Sequence, residues 1–143
     1  MLVEGLQNYL AANAALQTLL GTPATRSDHG TGIFPTQAPE EVPQPWIVLS
    51  QVSGQPLQES YAGTGRLATS RWRFSCYGSS YKQAKSLAQA LREAMIALAG
   101  TTAGNCFVEG SWIRLELDSA EPMPKNTIFV THVDAEINYI DGD

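Results

Sequence analysis

Ile33-Phe34-Pro35-Thr36-Gln37-Ala38-Pro39-Glu40-Glu41-Val42-Pro43-Gln44-Pro45-Trp46-Ile47-Val48-Leu49-Ser50 is the stretch that decides the fold. A short apolar pair, Ile33 and Phe34, leads into a bend carrying Pro35, Pro39, Pro43 and Pro45. Each proline fixes φ and removes an N–H donor, so the bend cannot be helix and resists a central sheet position. It must hand a rigid extended segment into the strand that starts at Trp46. No run of catalytic residue types accompanies it, so the stretch reads as architecture.

Upstream, Leu2, Leu6, Leu10, Leu16 and Leu20 recur at helical spacing and stop at Gly21, which suits the left-handed position after a helix. They predict one helix over Val3 to Leu20. Thr22 to Gly32 is rich in turn formers and predicts a surface loop, with a short strand at Ile33. Downstream, Trp46 to Val52 begins apolar on both faces, as a strand covered by helix does. Gly54 to Gly65, with Pro56, Gly63 and Tyr61, predicts a connection longer than a tight hairpin needs, of the kind that is either functional or mobile.

Alternation returns from Arg66 to Tyr77. Trp72, Phe74 and Cys76 share one face, and Arg71, Arg73, Ser75 and Tyr77 share the other. Ser80 with Gln83 forms a capping box before the stripe Ala84, Leu87, Ala88, Leu91, Met95 and Leu98, which predicts a helix over Tyr81 to Ala99. Short strands are expected at Cys106 to Val108 and Trp112 to Leu117. The turn formers Asp118, Ser119, Pro122 and Pro124 then separate these from a longer strand over Thr127 to Tyr139. Two main helices set among strands predict an α+β fold, a mainly antiparallel sheet with the helices packed on one side.

At 143 residues the chain suits one domain, 1–143, with enough apolar content (43%) to fold without staples. Fourteen acidic residues against nine basic ones leave a formal charge of -5, which gives no support to phosphate-backbone binding. Cys76 and Cys106 are too far apart for a metal knuckle and read as free thiols of a reducing cytosol. The start of the chain has no basic leader and no long apolar run, which predicts a cytoplasmic protein without a membrane span.

Few constellations carry chemistry. His132, Asp134 and Glu136 alternate along one strand and share a face, a geometry that could ligate a metal, but polar residues at every second position are what a half-exposed strand shows anyway, and that reading is the stronger. Asp28 and His29 form a solvated loop pair, and Ser70, Ser75, Ser79 and Ser80 lack a nucleophile elbow. Gly30-Thr31-Gly32 and Gly63-Thr64-Gly65 are turn fragments, each too short for a phosphate fingerprint. No catalytic residue, metal or cofactor is expected.

The N-terminal amphipathic helix, Ile33-Phe34-Pro35 with Ala38-Pro39 downstream, the Pro45-Trp46-Ile47-Val48 strand, the Arg71-Trp72-Arg73-Phe74 strand, the Tyr81 to Leu98 helix and the final strand together resemble the tail-completion, or tail-terminator, proteins of long-tailed bacteriophages and prophages. The resemblance implies a non-enzymatic subunit of a hexameric ring that caps the tail tube, stops its polymerisation and offers a face to the head connector. Its partners would be copies of itself, the tail-tube protein and the head connector. DNA would pass through the lumen without specific binding. A neck protein of the same assembly is the nearest alternative, and a small ligand-binding or hydrolytic domain the next.

Tyr61, Arg66, Arg71, Arg73 and Tyr77 are the candidate contact residues. Arginines facing outward on an acidic subunit suit a neighbour's carboxylates, so reversing Arg71 and Arg73 together is expected to weaken assembly and leave the monomer folded.

Overall fold

In a computed structural model, residues 2–21, 26, 30–36, 45–59, 66–122 and 127–141 are described. Two short helices, α1 (Leu2–Ala11) and α2 (Ala14–Leu20), precede β1 (Ile33–Pro35), β2 (Trp46–Glu59) and β3 (Arg66–Gly78). The long helix α3 (Tyr81–Ala97) follows, then β4 (Thr102–Ala103), β5 (Cys106–Pro122) and β6 (Thr127–Asp141). The strands form one six-stranded sheet in the order β1-β2-β3-β6-β5-β4. Every pairing is antiparallel except β1 with β2. This is the α+β class expected, with three helices in place of two.

The single helix expected over Val3 to Leu20 divides at Asn13. Asn13 leaves helical geometry (ψ 121°) and its side chain accepts the Leu16 N–H at 3.1 Å, an N-cap that starts a second helix. All five leucines then enter one core. At α3 the Gln83 backbone N–H donates to the Ser80 hydroxyl at 3.1 Å, while the Gln83 side-chain oxygen Oε1 accepts from the Ser79 N–H at 2.7 Å. The reciprocal bond of the capping box is thus displaced by one residue.

One sheet face and the inner faces of the helices enclose the core. Ile47, Leu49, Trp72, Phe74, Cys76, Val133, Ala135 and Ile137 from the sheet meet Leu87, Leu91, Ala94 and Met95 of α3. The Trp72 indole N–H donates to the buried Ser70 hydroxyl at 2.8 Å, so that ring enters the core without an orphaned donor. Helix α1 lies so close to β4 that a methyl group on Gly5 would sit 2.3 Å from the carbonyl carbon of Ala103. The Tyr9 hydroxyl donates to the Ala94 carbonyl at 2.7 Å, tying α1 to α3, and burial raises its pKa.

Three expected loops differ. Arg26, placed in a surface loop, is buried and donates to the carbonyls of Leu20 (2.9 Å) and Pro45 (2.8 Å), pinning the end of α2 to the entry of β2. Gly54 lies inside β2, and the strand runs on to Glu59. Gly54 and Pro56, which read as turn formers, keep cross-strand partners in Ser70 and Ala68, and the register shifts at Gln51/Ser53 and Pro56/Gln58 fall at Val52 and Leu57. The remainder of that expected loop, residues 60–65 with Tyr61, lies outside the described residues. Asp118 and Ser119 likewise belong to β5, which is one continuous strand from Cys106 to Pro122 in place of two short ones. Pro124 lies outside the described residues.

Candidate functional site

The helices pack on the inner face of the sheet, and the outer face carries the sequence-predicted residues. Cross-strand register sets Ser75 opposite His132, Arg73 opposite Asp134 and Arg71 opposite Glu136. These side chains form a polar ladder across β3 and β6. Arg73 grips Asp134 with two bonds (Nε–Oδ1 2.8 Å, Nη2–Oδ2 3.1 Å), and Arg71 adds a third to Oδ2 at 3.2 Å. Asp134 is 1% exposed, whereas the two arginine side chains remain 38% and 37% exposed. The hydrogen bond from Arg73 holds the Asp134 carboxyl below its ordinary pKa against the opposing effect of burial, and the charges of both arginines add to this.

The residues that could have formed a metal row are each otherwise engaged. Asp134 takes the arginines, His132 Nδ1 lies 2.8 Å from the Ser75 hydroxyl, and Glu136 pairs with Arg114. Among the described residues no three His, Cys, Asp or Glu side chains converge as metal ligands. The Ser75–His132 contact belongs to the same ladder, in which Thr69 also meets Asn138. Tyr77 stacks on Trp46 with ring centroids 5.1 Å apart. Arg66 opens β3 opposite Asp141; its side chain and Tyr61 lie outside the described atoms. Arg71, Arg73 and Tyr77 therefore do share one face, but both arginines already have a carboxylate partner within the chain. Reversing both charges would leave Asp134 buried among like charges, so these pairs argue that the reversal destabilises the monomer as well as any assembly.

The feature that sequence reasoning missed lies on β5. Register shifts at Val108/Gly110 and Ile113/Leu115 reset the alternation of this strand. As a result Phe107, Trp112, Leu115 and Leu117 fall on the outer face, 41%, 44%, 39% and 50% exposed. Arg114 lies over the Trp112 ring, 5.7 Å from its centroid. Glu116 and Asp118 turn toward α3, where Lys85 reaches both (3.3 and 3.0 Å) and Arg92 reaches Glu116 at 3.4 Å. Asp118 also accepts from Thr131 at 3.1 Å and from the Tyr81 hydroxyl at 3.2 Å. The hydrogen bond from Lys85 lowers the Asp118 pKa, and that of Lys85 rises in return. The inversion has a visible trace in the run Arg114-Leu115-Glu116-Leu117-Asp118, whose leucines read as core until the bulge is known.

A depression of about 260 Å³ lies between Leu19, Pro45 and the start of α3, lined by Ser80, Lys82, Gln83, Ser86 and Leu87. Among the described residues of this lining Lys82 alone is titratable, and no acid–base pair forms between them. The family model for tail completion protein gp17 matches residues 4–134. A chain of a solved structure described as the virion of a native gene transfer agent particle shares the fold, with a TM-score of 0.64 and 17% identity over 98% of this chain and 94% of that one. No curated protein matches the sequence. The family match spans nearly the whole chain, from α1 into β6, and so this protein belongs to the tail completion protein gp17 family, structural proteins of the phage tail.

Proposed function

We propose that the chain, as one domain, assembles into a hexameric ring on the finished tail tube, stops tube polymerisation and presents the surface that joins the head. The observation that carries this reading is the family match over residues 4–134. The outer sheet face supports it, since the described helices all pack against the opposite face and the outer one is left for a partner. The gene transfer agent chain that shares the fold belongs to a virion, a setting that suits the same kind of role. The partners are copies of this chain, the tail-tube protein and the head connector, and the role is non-enzymatic.

Charge agrees with a lumen through which DNA passes. At -5 per chain six copies carry -30, which repels a phosphate backbone. No described helix is long and apolar enough to cross a membrane. Assembly is placed in the host cytoplasm, with the finished protein in the virion tail. Arg66, Arg71, Arg73, Tyr77 and Tyr61 remain the proposed contact set. The exposed thirds of Arg71 and Arg73 are what a neighbour would reach.

Deleting the gene tests the role. Tails of uncontrolled length that fail to join heads are expected under electron microscopy. Tails of normal length that join normally refute it, and tails of normal length that cannot join identify a neck protein instead.

A further inference from the structure

We infer that the outer edge of β5, with its row Phe107, Trp112, Leu115 and Leu117, packs against the β2 edge of a second copy of this chain. The inference rests on the ring reading and specifies its contact. Both edges of the sheet are long and nearly uncovered among the described residues. β1 pairs with three residues of the 14 in β2, and β4 with two of the 17 in β5. An uncovered edge of this length is a template for another chain unless charge defends it.

The two edges differ in charge, and this selects the occupant. β2 has no charged residue from Trp46 to Gln58, whereas β5 carries Glu109, Glu116, Asp118 and Glu121 against Arg114 alone. Even with Glu116 and Asp118 paired to Lys85 and Arg92 of α3, two β5 edges facing each other would bring together two strands of net negative charge, which cross-strand neighbours tolerate less well than a neutral partner. β5 against β2 sets the acidic strand beside a neutral one. One chain carries both halves of that contact at opposite ends of its sheet, the requirement for a head-to-tail interface that closes into a ring.

Apolar side chains stand at both edges. Val52, at the first bulge of β2, is 51% exposed, and the β5 row lies at the other edge. The four residues of the row expose on the order of 300 Å² together, well short of the about 800 Å² per partner that a stable contact buries. The strand edges must therefore be covered along with the row.

Cross-linking in full-length protein, both purified and in isolated tails, tests the inference. Val52→Cys and Leu117→Cys are introduced singly and together and treated with a bismaleimide; Cys76 and Cys106 are buried and stay unlabelled. The double variant is expected to give a ladder of multimers, and each single variant only monomer. Dimers from Leu117→Cys alone overturn the inference in favour of a two-fold contact. Rings seen by native mass spectrometry without a ladder overturn it and leave the ring reading intact. A chain that forms no multimer, free or on tails, refutes the ring reading and this contact with it. Leu115→Glu with Leu117→Glu provides a second arm. Loss of the ring with an unchanged far-ultraviolet circular dichroism spectrum is expected, while Ile96→Glu on the exposed side of α3 leaves the ring in place. Rings that persist in the Leu115/Leu117 variant overturn the inference.

Discussion

Removing Asp134 and removing its two arginines delete the same three hydrogen bonds, yet the costs should differ severalfold. Asp134 is buried, and its partners are more than a third exposed. In Asp134→Asn the guanidinium groups swing into water, so the loss is about 1–2 kcal/mol once solvent screening of half-exposed charges is counted. In Arg71→Ala with Arg73→Ala the carboxylate stays behind without a counter-charge, which costs about 3–5 kcal/mol. Urea denaturation at pH 7, at two protein concentrations to separate folding from association, reads the difference. Adding Asp134→Asn to the double arginine variant should restore most of the loss.

The pH dependence differs between the two variants as well. The folded-state pKa of Asp134 is depressed, so its contribution in the wild type is full above the unfolded value of about 3.9 and is lost as pH falls through the lower folded pKa. The deficit of Asp134→Asn should therefore stay constant from neutral pH down to about pH 4 and shrink below that. Without the arginines, burial pushes the carboxyl up, and that variant should recover as pH falls from neutral, well before pH 4. Equal losses at pH 7, or no rescue by Asp134→Asn, would show that Asp134 reaches water and refute the asymmetry.

Three further outcomes are expected. Leu91→Ala should cost about 2–5 kcal/mol in denaturant melts, because Leu91 is fully buried where α3 meets the sheet; a loss under about half a kcal/mol would place it at the surface. Gly5→Ala, which would stabilise an ordinary helix, should destabilise by about 1–3 kcal/mol, since its methyl group would strike the backbone of β4. Neither thiol should react with an aromatic disulfide reagent until the protein unfolds, because both are buried and burial, with the Glu116 charge adding, pushes the Cys76 thiol far up; prompt release of two equivalents from native protein would contradict the core placement.

Periodicity made the helices and the inner strand faces legible. The stripes at Leu2, Leu6 and Leu10 and at Leu87 and Leu91, and the alternation Trp72, Phe74, Cys76, all point into the core. Local turn chemistry misled where tertiary contacts outweighed it. Gly54 and Pro56 are held in strand by their pairing with Ser70 and Ala68 of β3, and Asp118 by Lys85 and Thr131. Arg26 read as a loop cation because its acceptors, two carbonyls at opposite ends of the segment Leu20 to Pro45, are brought together only by the fold. The candidate face was half legible. Arg71, Arg73 and Tyr77 were placed on it correctly, but their partners depend on strand register, and the apolar row of β5 depends on a bulge that composition does not announce.

Strand order has a consequence for how the chain is made. β6 lies between β3 and β5 in the sheet but follows both in the sequence. A nascent chain that has released everything through β5 still holds two unconnected half-sheets, and only emergence of Thr127 to Asp141 joins them. The hairpin of β5 and β6 forms from neighbours in sequence, whereas β3 must wait for a partner about 60 residues downstream, a closure whose entropic cost slows folding. Until then the strands that will flank β6 expose their pairing edges to other nascent chains. A stop codon before Thr127 thus removes the keystone of the sheet, and such truncated products should collect as insoluble aggregates and be cleared by the host's proteases.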